Sequence, residues 1–247
     1  MDVGEPPQRR TLPARALFYE APSSATIRTV EIPVLTEDDR GEAEILIRTL
    51  YSGLSRGTER LVFEGRLPES EWGRMRAPHQ DGDFPFPVKY GYAAVGIAEA
   101  GPSALIGRSY FALFPHQSRF VLPARSLVPL PDTVPARRAV LAANMETALN
   151  ALWDSGALAG QSIAVIGAGL LGCLIGFLAA RLPGAKVTLI DHLPERAAIA
   201  ERLGLGFATP ETAAGGAEIV FHVSASEAGL RLALETAAFE GRIVEAS

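Results

Sequence analysis

The sequence predicts an α/β chain in two parts, a β-rich first half followed by a doubly wound parallel sheet. Two textures and one motif predict it. Residues 11–134 form a series of short apolar runs broken by Gly and Pro, with β-branched and aromatic residues alternating with polar ones. That is the pattern of many short strands. From Pro135 onward strand-like and helix-like apolar segments alternate, the pattern of βαβ units feeding a parallel sheet. At the first strand-to-helix junction of this second part stands G-x-G-x-x-G, as Gly167, Gly169 and Gly172.

Taken in order, residues 1–10 form a loose tail without the apolar run of a secretory signal, so a cytoplasmic protein is expected. Strands are expected at 15–19, 44–49, 93–98, 110–114 and 119–122. Residues 79–87, rich in Pro, Asp and Phe, are expected as a surface loop able to carry specificity. Residues 137–155 carry apolar side chains at helical spacing with no Gly or Pro, giving one helix or two short ones. Then follow a strand at 162–166, a helix at 170–181 and a strand at 186–191. A helix at 194–203 has Pro194 in its first turn and Gly204 as its stop. A short strand near Phe207, a strand at 218–223, a helix at 226–238 and a strand at 242–246 complete the chain. The expected domains are 11–136 and 137–247. A six-stranded dinucleotide domain needs at least one further strand and helix, so the second domain is expected to be incomplete at its C-terminal end.

Composition narrows the function classes. Of the 247 residues, 48% are hydrophobic and 21% charged, which excludes a largely disordered chain. The net charge of −5 offers no basic patch for a nucleic acid. The single cysteine, Cys173, excludes an internal disulfide framework and a Cys-rich zinc site. None of His79, His116, His192 and His222 pairs at i, i+4. Residues 162–180 carry no charge and are long enough to span a bilayer, with Gly172 and Gly176 in G-x-x-x-G spacing. The strand–helix alternation downstream and the lack of aromatic belts argue against a membrane. Cys173 is expected as a small buried apolar group, His222 as a satisfied core or edge histidine, and His192 on a loop.

The glycine motif follows a strand and opens a helix, and the next strand ends in Asp191. These are the conditions for a Rossmann dinucleotide site. Gly167 permits the tight turn, Gly169 lets a pyrophosphate approach the backbone, and Gly172 lets helix and strand pack closely. The first helical turn, with Leu170 and Leu171, offers free N–H groups to phosphates. Asp191 suits the adenosine ribose hydroxyls and opposes a 2′-phosphate, favouring NAD over NADP. Ser224, after the fourth strand, is a further cofactor candidate. An S-adenosyl site or a purely structural turn remain open alternatives for the motif.

Three segments outside the motif resemble the medium-chain dehydrogenase/reductases, the alcohol dehydrogenase superfamily. They are Ala43–Arg48 with S-G-L-S-R-G-T-E at 52–59, P-V-K-Y-G-Y-A-A-V-G at 87–96, and A-A-N-M-E-T-A-L-N-A-L at 142–152. The resemblance covers about residues 12–247 and implies a GroES-like β domain ahead of the Rossmann domain, with the active site in the cleft between them. It also implies that Thr147 contacts the nicotinamide end. Members of the family often dimerise through the edge strand of the Rossmann sheet, the part expected to be missing here, so a monomer or an altered homodimer is possible. The departures point to a zinc-independent branch. Ser55 stands where the family has its first zinc-ligating Cys, Tyr92 and Ala93 replace the His and Glu of G-H-E, and Ala143 replaces a further Cys. The loop at 52–59 is similar to that of bacteriochlorophyllide a dehydrogenase-like members.

These readings lead to an NAD-dependent, zinc-independent oxidoreductase for a small-molecule alcohol, carbonyl or enone. Without zinc a side chain must serve the substrate oxygen. Tyr92 is the first candidate, with Ser55 and Thr58 orienting substrate or relaying a proton. Glu59, His116 and Glu146 are weaker candidates, expected rather as solvated or structural groups. The alternative is a non-catalytic dinucleotide-binding or scaffold protein.

Overall fold

The structure, a computed structural model, describes residues 11–33 and 43–246; the expected tail at 1–10 lies outside them. The chain divides into two compact units, Met1–Ala142 and Ala143–Ser247. Its class is α/β, with β sheets in the first unit and a parallel sheet in the second.

The first unit contains β1 (Thr11–Ala21), β2 (Ser24–Pro33), β3 (Glu44–Ser52), α1 (Thr58–Phe63), β4 (Asp81–Gly82) and β5 (Val88–Lys89). It continues with β6 (Ala94–Ala100), β7 (Ser109–Ala112), β8 (Arg119–Pro123), β9 (Val128–Pro129) and α2 (Ala136–Ala139). Two antiparallel sheets result, ordered β2-β1-β5-β4 and β8-β3-β6-β7-β9. The five expected strands are all present within a few residues of their expected ends. β2 was not expected, and of the segment expected as a loop at 79–87, Asp81–Gly82 form β4, which pairs with β5 just after it. One core gathers Ile45, Ile47, Tyr110, Phe120 and Leu122. A second gathers Tyr19, Val62, Phe84, Val88 and Tyr90 under α1.

The expected helix at 137–155 is two helices, and the first of them belongs with the β sheets. A Cβ on Gly53 would lie 3.1 Å from Val140 Cγ2, so the segment after α2 is pressed against the end of β3. This places the unit boundary at Ala142/Ala143, a few residues beyond the expected one.

The second unit runs α3 (Ala142–Ser155), β10 (Ser162–Ile166), α4 (Leu170–Ala179), β11 (Lys186–Ile190), α5 (Ala197–Leu203) and β12 (Gly206–Ala208). It ends with β13 (Ala217–His222), α6 (Glu227–Thr236) and β14 (Ala237–Glu245). The sheet order is β12-β11-β10-β13-β14, with every pairing parallel. The strands are apolar at consecutive positions because both sheet faces are covered. Val165, Leu189 and Phe221 face Ile175 of α4 and Ala200 of α5. Ala164, Ile166, Ile190 and Val220 face Ala233 of α6. The uncharged stretch 162–180 divides into β10, a turn and α4; among the described residues no helix is long and apolar enough to cross a membrane.

Candidate functional site

In the second unit the strand order reverses between β10 and β13, and a crevice at such a switch point, outside the carboxyl ends of the strands, is where open α/β sheets bind ligands. The glycine turn lies there. Gly167 has φ +109°, and a Cβ on it would meet the Ser224 backbone at 3.1 Å. A Cβ on Gly172 would lie 1.9 Å from Gly167 O and 3.1 Å from Val223 Cγ2, so helix and strand touch only because this residue has no side chain. Gly169 differs, since a Cβ there would meet nothing within 4 Å. The backbone is therefore bare and open at the one glycine expected to admit a pyrophosphate. Gly169 caps α4 without any side-chain hydrogen bond, leaving first-turn N–H groups for an anion.

Asp191 is 11% exposed at its side chain. Its Oδ2 accepts from Ala168 N–H at 2.7 Å and its Oδ1 from Leu193 N–H at 3.0 Å. It thus anchors the turn as well as marking the end of β11. A carboxylate accepts about four hydrogen bonds, so capacity for ribose hydroxyls remains. Leu170 is exposed and Leu171 half-buried against the core. Ser224 Oγ lies 2.8 Å from His222 Nε2 and 3.0 Å from Ser226 Oγ, while His222 Nδ1 lies 2.5 Å from Glu245 Oε2. His222 is buried and satisfied, as its place in a strand suggested. The Cys173 thiol is half-buried, and burial pushes its pKa up. Thr147 Oγ1 donates to Ala143 O at 3.0 Å within α3.

The first unit holds a second polar centre. Glu59, the second residue of α1, is 3% exposed. Its Oε1 accepts from Ser55 N–H at 2.7 Å, reaching back to the backbone as in a capping box. Its Oε2 accepts from Tyr19 Oη at 3.0 Å and lies 2.6 Å from His116 Nε2. His116, 8% exposed, is hydrogen-bonded through Nδ1 to Ser52 Oγ. Ser52 Oγ also lies 3.3 Å from Ala93 O. A Cβ on Gly91 would lie 2.6 Å from His116 Nε2, so this glycine, at φ +114°, makes room for the imidazole. Burial, then the Glu59 charge, holds the Tyr19 phenol above its ordinary pKa, which keeps it a donor. Burial raises Tyr90 likewise, and its hydroxyl donates to Met75 O at 2.7 Å.

Glu59 and His116 are therefore not solvated groups. They are buried against each other and joined to an exposed serine. Tyr92 is half-buried and sets its ring edge-on to Tyr90, centroids 6.3 Å apart. Ser55 contributes its backbone N–H to Glu59, and Thr58 opens α1. Glu146 lies on α3, hydrogen-bonded to Asn150. No local spacing links Glu59 to His116. The one sequence signal near them is Ser55 followed by Glu59, a carboxylate able to reach back over a helix start. Among the described residues no three His, Cys, Asp or Glu side chains come together in a metal-binding group.

No protein-family model matches the chain. An uncharacterized zinc-type alcohol dehydrogenase-like protein of Haemophilus influenzae is 33% identical over 133 residues, which are 49% of this chain and 39% of that relative. The match thus spans well under half of the relative's length. A protein of Escherichia coli CFT073 described as a short chain alcohol dehydrogenase, solved with NADH, superposes with TM-score 0.72 at 16% identity, over 94% of this chain and 76% of that one. The quinone oxidoreductase of Thermus thermophilus, solved also with NADPH, gives 0.69 at 24% identity, over 93% and 72%. The fold of this chain, antiparallel β sheets followed by a parallel dinucleotide-type sheet, is the fold of these oxidoreductases.

Proposed function

We propose that the chain is an oxidoreductase of the medium-chain dehydrogenase/reductase superfamily, binding a nicotinamide dinucleotide on its second unit and acting on an alcohol, carbonyl or enone without a catalytic zinc. The observation that carries this reading is the glycine turn at the switch point. Gly167 and Gly172 are filled by their neighbours, while Gly169 stands open beside an uncapped helix start. That cradle fits a dinucleotide pyrophosphate. When bound, the nicotinamide supplies hydride donor or acceptor chemistry. Asp191, which keeps acceptor capacity and opposes a 2′-phosphate, supports NAD over NADP. Absence of zinc is supported by the donor set, since Ser55, Tyr92, Ala93 and Ala143 are poor ligands at the positions where the resemblance sets zinc ligands. The substrate oxygen then needs a side-chain donor, for which Tyr92, Ser55 and Thr58 are the candidates the resemblance offers.

Fluorescence titration of the chain with NADH and NADPH tests this. NADH is expected to bind, and more tightly than NADPH. Gly169→Ala is expected to weaken NADH binding while leaving the melting temperature near that of wild type, because a Cβ there meets no protein atom within 4 Å. Failure of wild type to bind either dinucleotide would overturn the reading, and stoichiometric zinc required for turnover would overturn its zinc-free part.

A further inference from the structure

We infer that a cavity at the β7–β9 edge of the five-stranded sheet of the first unit is a binding site for a small aromatic carboxylate, which stacks on His79 and sets its acid group against Arg125 and Ser126. The inference stands on the first unit alone and does not depend on the dinucleotide reading. It gives a use to the start of the segment at 79–87, which the sequence marks as able to carry specificity and which the candidate site above does not employ.

The cavity measures about 290 Å³. That is near the lower end of the roughly 300–1,000 Å³ usual for ligand pockets, so its occupant is a single-ring molecule rather than a nucleotide. The apolar wall is Phe111 of β7, Leu113 just after that strand, and Val128 of β9. Leu113 is 46% exposed and Val128 58%, although Val128 is paired with Phe111 in the sheet. A ligand lying here takes that apolar area out of water. The polar side is Arg125 and Ser126, on the single helical turn Ala124–Ser126 between β8 and β9. A guanidinium carries five donors, more than one partner can occupy, and its fork matches a carboxylate. An apolar wall with a few polar groups on one side is the usual make-up of a small-molecule site.

His79 also lines the cavity, and it sets the ligand class. Phe120 and Phe114 are buried and stacked, centroids 4.2 Å and planes 11° apart. Phe114 stacks in turn with His79, at 5.2 Å and 26°. A series of three rings therefore runs from the core of the sheet to the cavity wall, and a planar aromatic ligand extends it by one. The backbone fixes the imidazole there. His79 has φ +58°, an uncommon conformation for a residue with a Cβ. The turn that imposes it is closed twice, by Gln80 N–H donating to Ala77 O and by Ala77 N–H donating to Gln80 Oε1, each at 3.2 Å. Burial, then the charge of Lys89, holds the His79 pKa below its ordinary value, so at neutral pH the ring is uncharged and supplies a face rather than a charge. Lys89 Nζ is held by Gln117 Oε1 at 3.0 Å and lies 3.6 Å from Asp81 Oδ2. Arg125 is then the group that selects an acid.

The test titrates the full chain, labelled with 13C,15N-histidine, with benzoate, benzamide and cyclohexanecarboxylate. The His79 ring signals are assigned through His79→Asn, since asparagine also accepts a left-handed backbone and keeps the turn. Benzoate is expected to shift the His79 signals saturably. Benzamide, which lacks the charge, and cyclohexanecarboxylate, which lacks the planar ring, are expected to bind several-fold more weakly. Saturation-transfer spectra of the probes read binding in the variants. His79→Asn is expected to weaken benzoate and to remove its advantage over cyclohexanecarboxylate. Arg125→Gln is expected to weaken benzoate roughly tenfold, the scale of a hydrogen bond to a charged group, and to leave benzamide unchanged. Arg125→Lys, which keeps the charge without the fork, is expected to fall between. An absent or unsaturable His79 shift, equal binding of the three probes, or benzoate affinity untouched by Arg125→Gln would overturn the site.

Discussion

The two units make polar sites by opposite means. The second builds its candidate site from backbone, with Gly167 and Gly172 set by close neighbours and Gly169 open. The first builds its polar centre from side chains, bringing Tyr19, Ser52, Glu59 and His116 together from β1, β3, α1 and the loop before β8. A backbone site demands particular residues at fixed local spacing and so prints a motif. A side-chain site demands only that distant strands meet, and leaves little local trace.

This contrast can be broken or sharpened by mutation. The largest effect is expected where backbone meets backbone. Gly172→Ala places a Cβ 1.9 Å from Gly167 O, and neither atom is on a flexible arm. A loss of about 4 kcal/mol or more is expected, a large part of a typical domain's stability, read by urea denaturation; retention of wild-type stability would show that the turn can shift. Next comes Glu59→Ala, which strands the buried His116 and Tyr19 partners. About 3 kcal/mol is expected, read in the unfolding transition of the first unit, with Glu59→Gln losing less. Ser226→Ala in the second unit removes the N-cap of α6, whose hydroxyl accepts from Gly229 N–H at 3.1 Å. About 1 kcal/mol is expected, because only one local hydrogen bond is lost. The smallest effect is expected at Glu99, which bridges Arg119 and Arg48, each at 2.7 Å, on the half-exposed face of β6. The Arg119 hydrogen bond, with help from Arg48, holds its carboxyl below the usual carboxylate range. A depressed folded-state pKa gives stability that is present above the unfolded value of about 4.3 and lost as pH falls through the folded one. Glu99→Gln is thus expected to cost under about 1 kcal/mol at pH 7, a cost that fades as pH falls through the depressed folded-state value. A constant difference at every pH would assign the effect to packing instead.

The sequence made the second unit legible nearly residue by residue. β10 and the start of α4 fall where the pattern set them, since buried apolar strands and a glycine turn are local signals. The expected strand at 242–246 begins earlier, at Ala237, because α6 stops at Thr236 and Ala237 pairs with Ala217. In the first unit β2 escaped notice. It is almost wholly exposed, Ile27 at 59%, and is held by pairing with β1 along its length rather than by a buried face. α1 is too short to show a period. Of the candidate site, Gly167, Gly169, Gly172 and Asp191 were visible as a pattern, and the structure adds that Asp191 also ties down Ala168 and Leu193. Ser55 and Thr58 precede Glu59 at the start of α1 and Tyr92 follows Gly91, so these candidates are sequence neighbours of the buried pair. The pair they surround, Glu59 with His116, needed the tertiary fold to be seen.

The sequence distances inside the two sites differ, and this bears on the order in which the chain folds. Asp191 binds a backbone amide 23 positions away within one strand–helix–strand unit. Glu59 must meet Tyr19 across 40 positions and His116 across 57. Loop closure over longer separations costs more entropy, and contacts of high separation form slowly. During synthesis the glycine turn can close as soon as one supersecondary unit has emerged, whereas the Glu59 carboxylate stays in water until the loop before β8 has arrived. Desolvating that charge is then among the last acts of assembly of the first unit, and it succeeds only when histidine, tyrosine and serine are all in place to receive it.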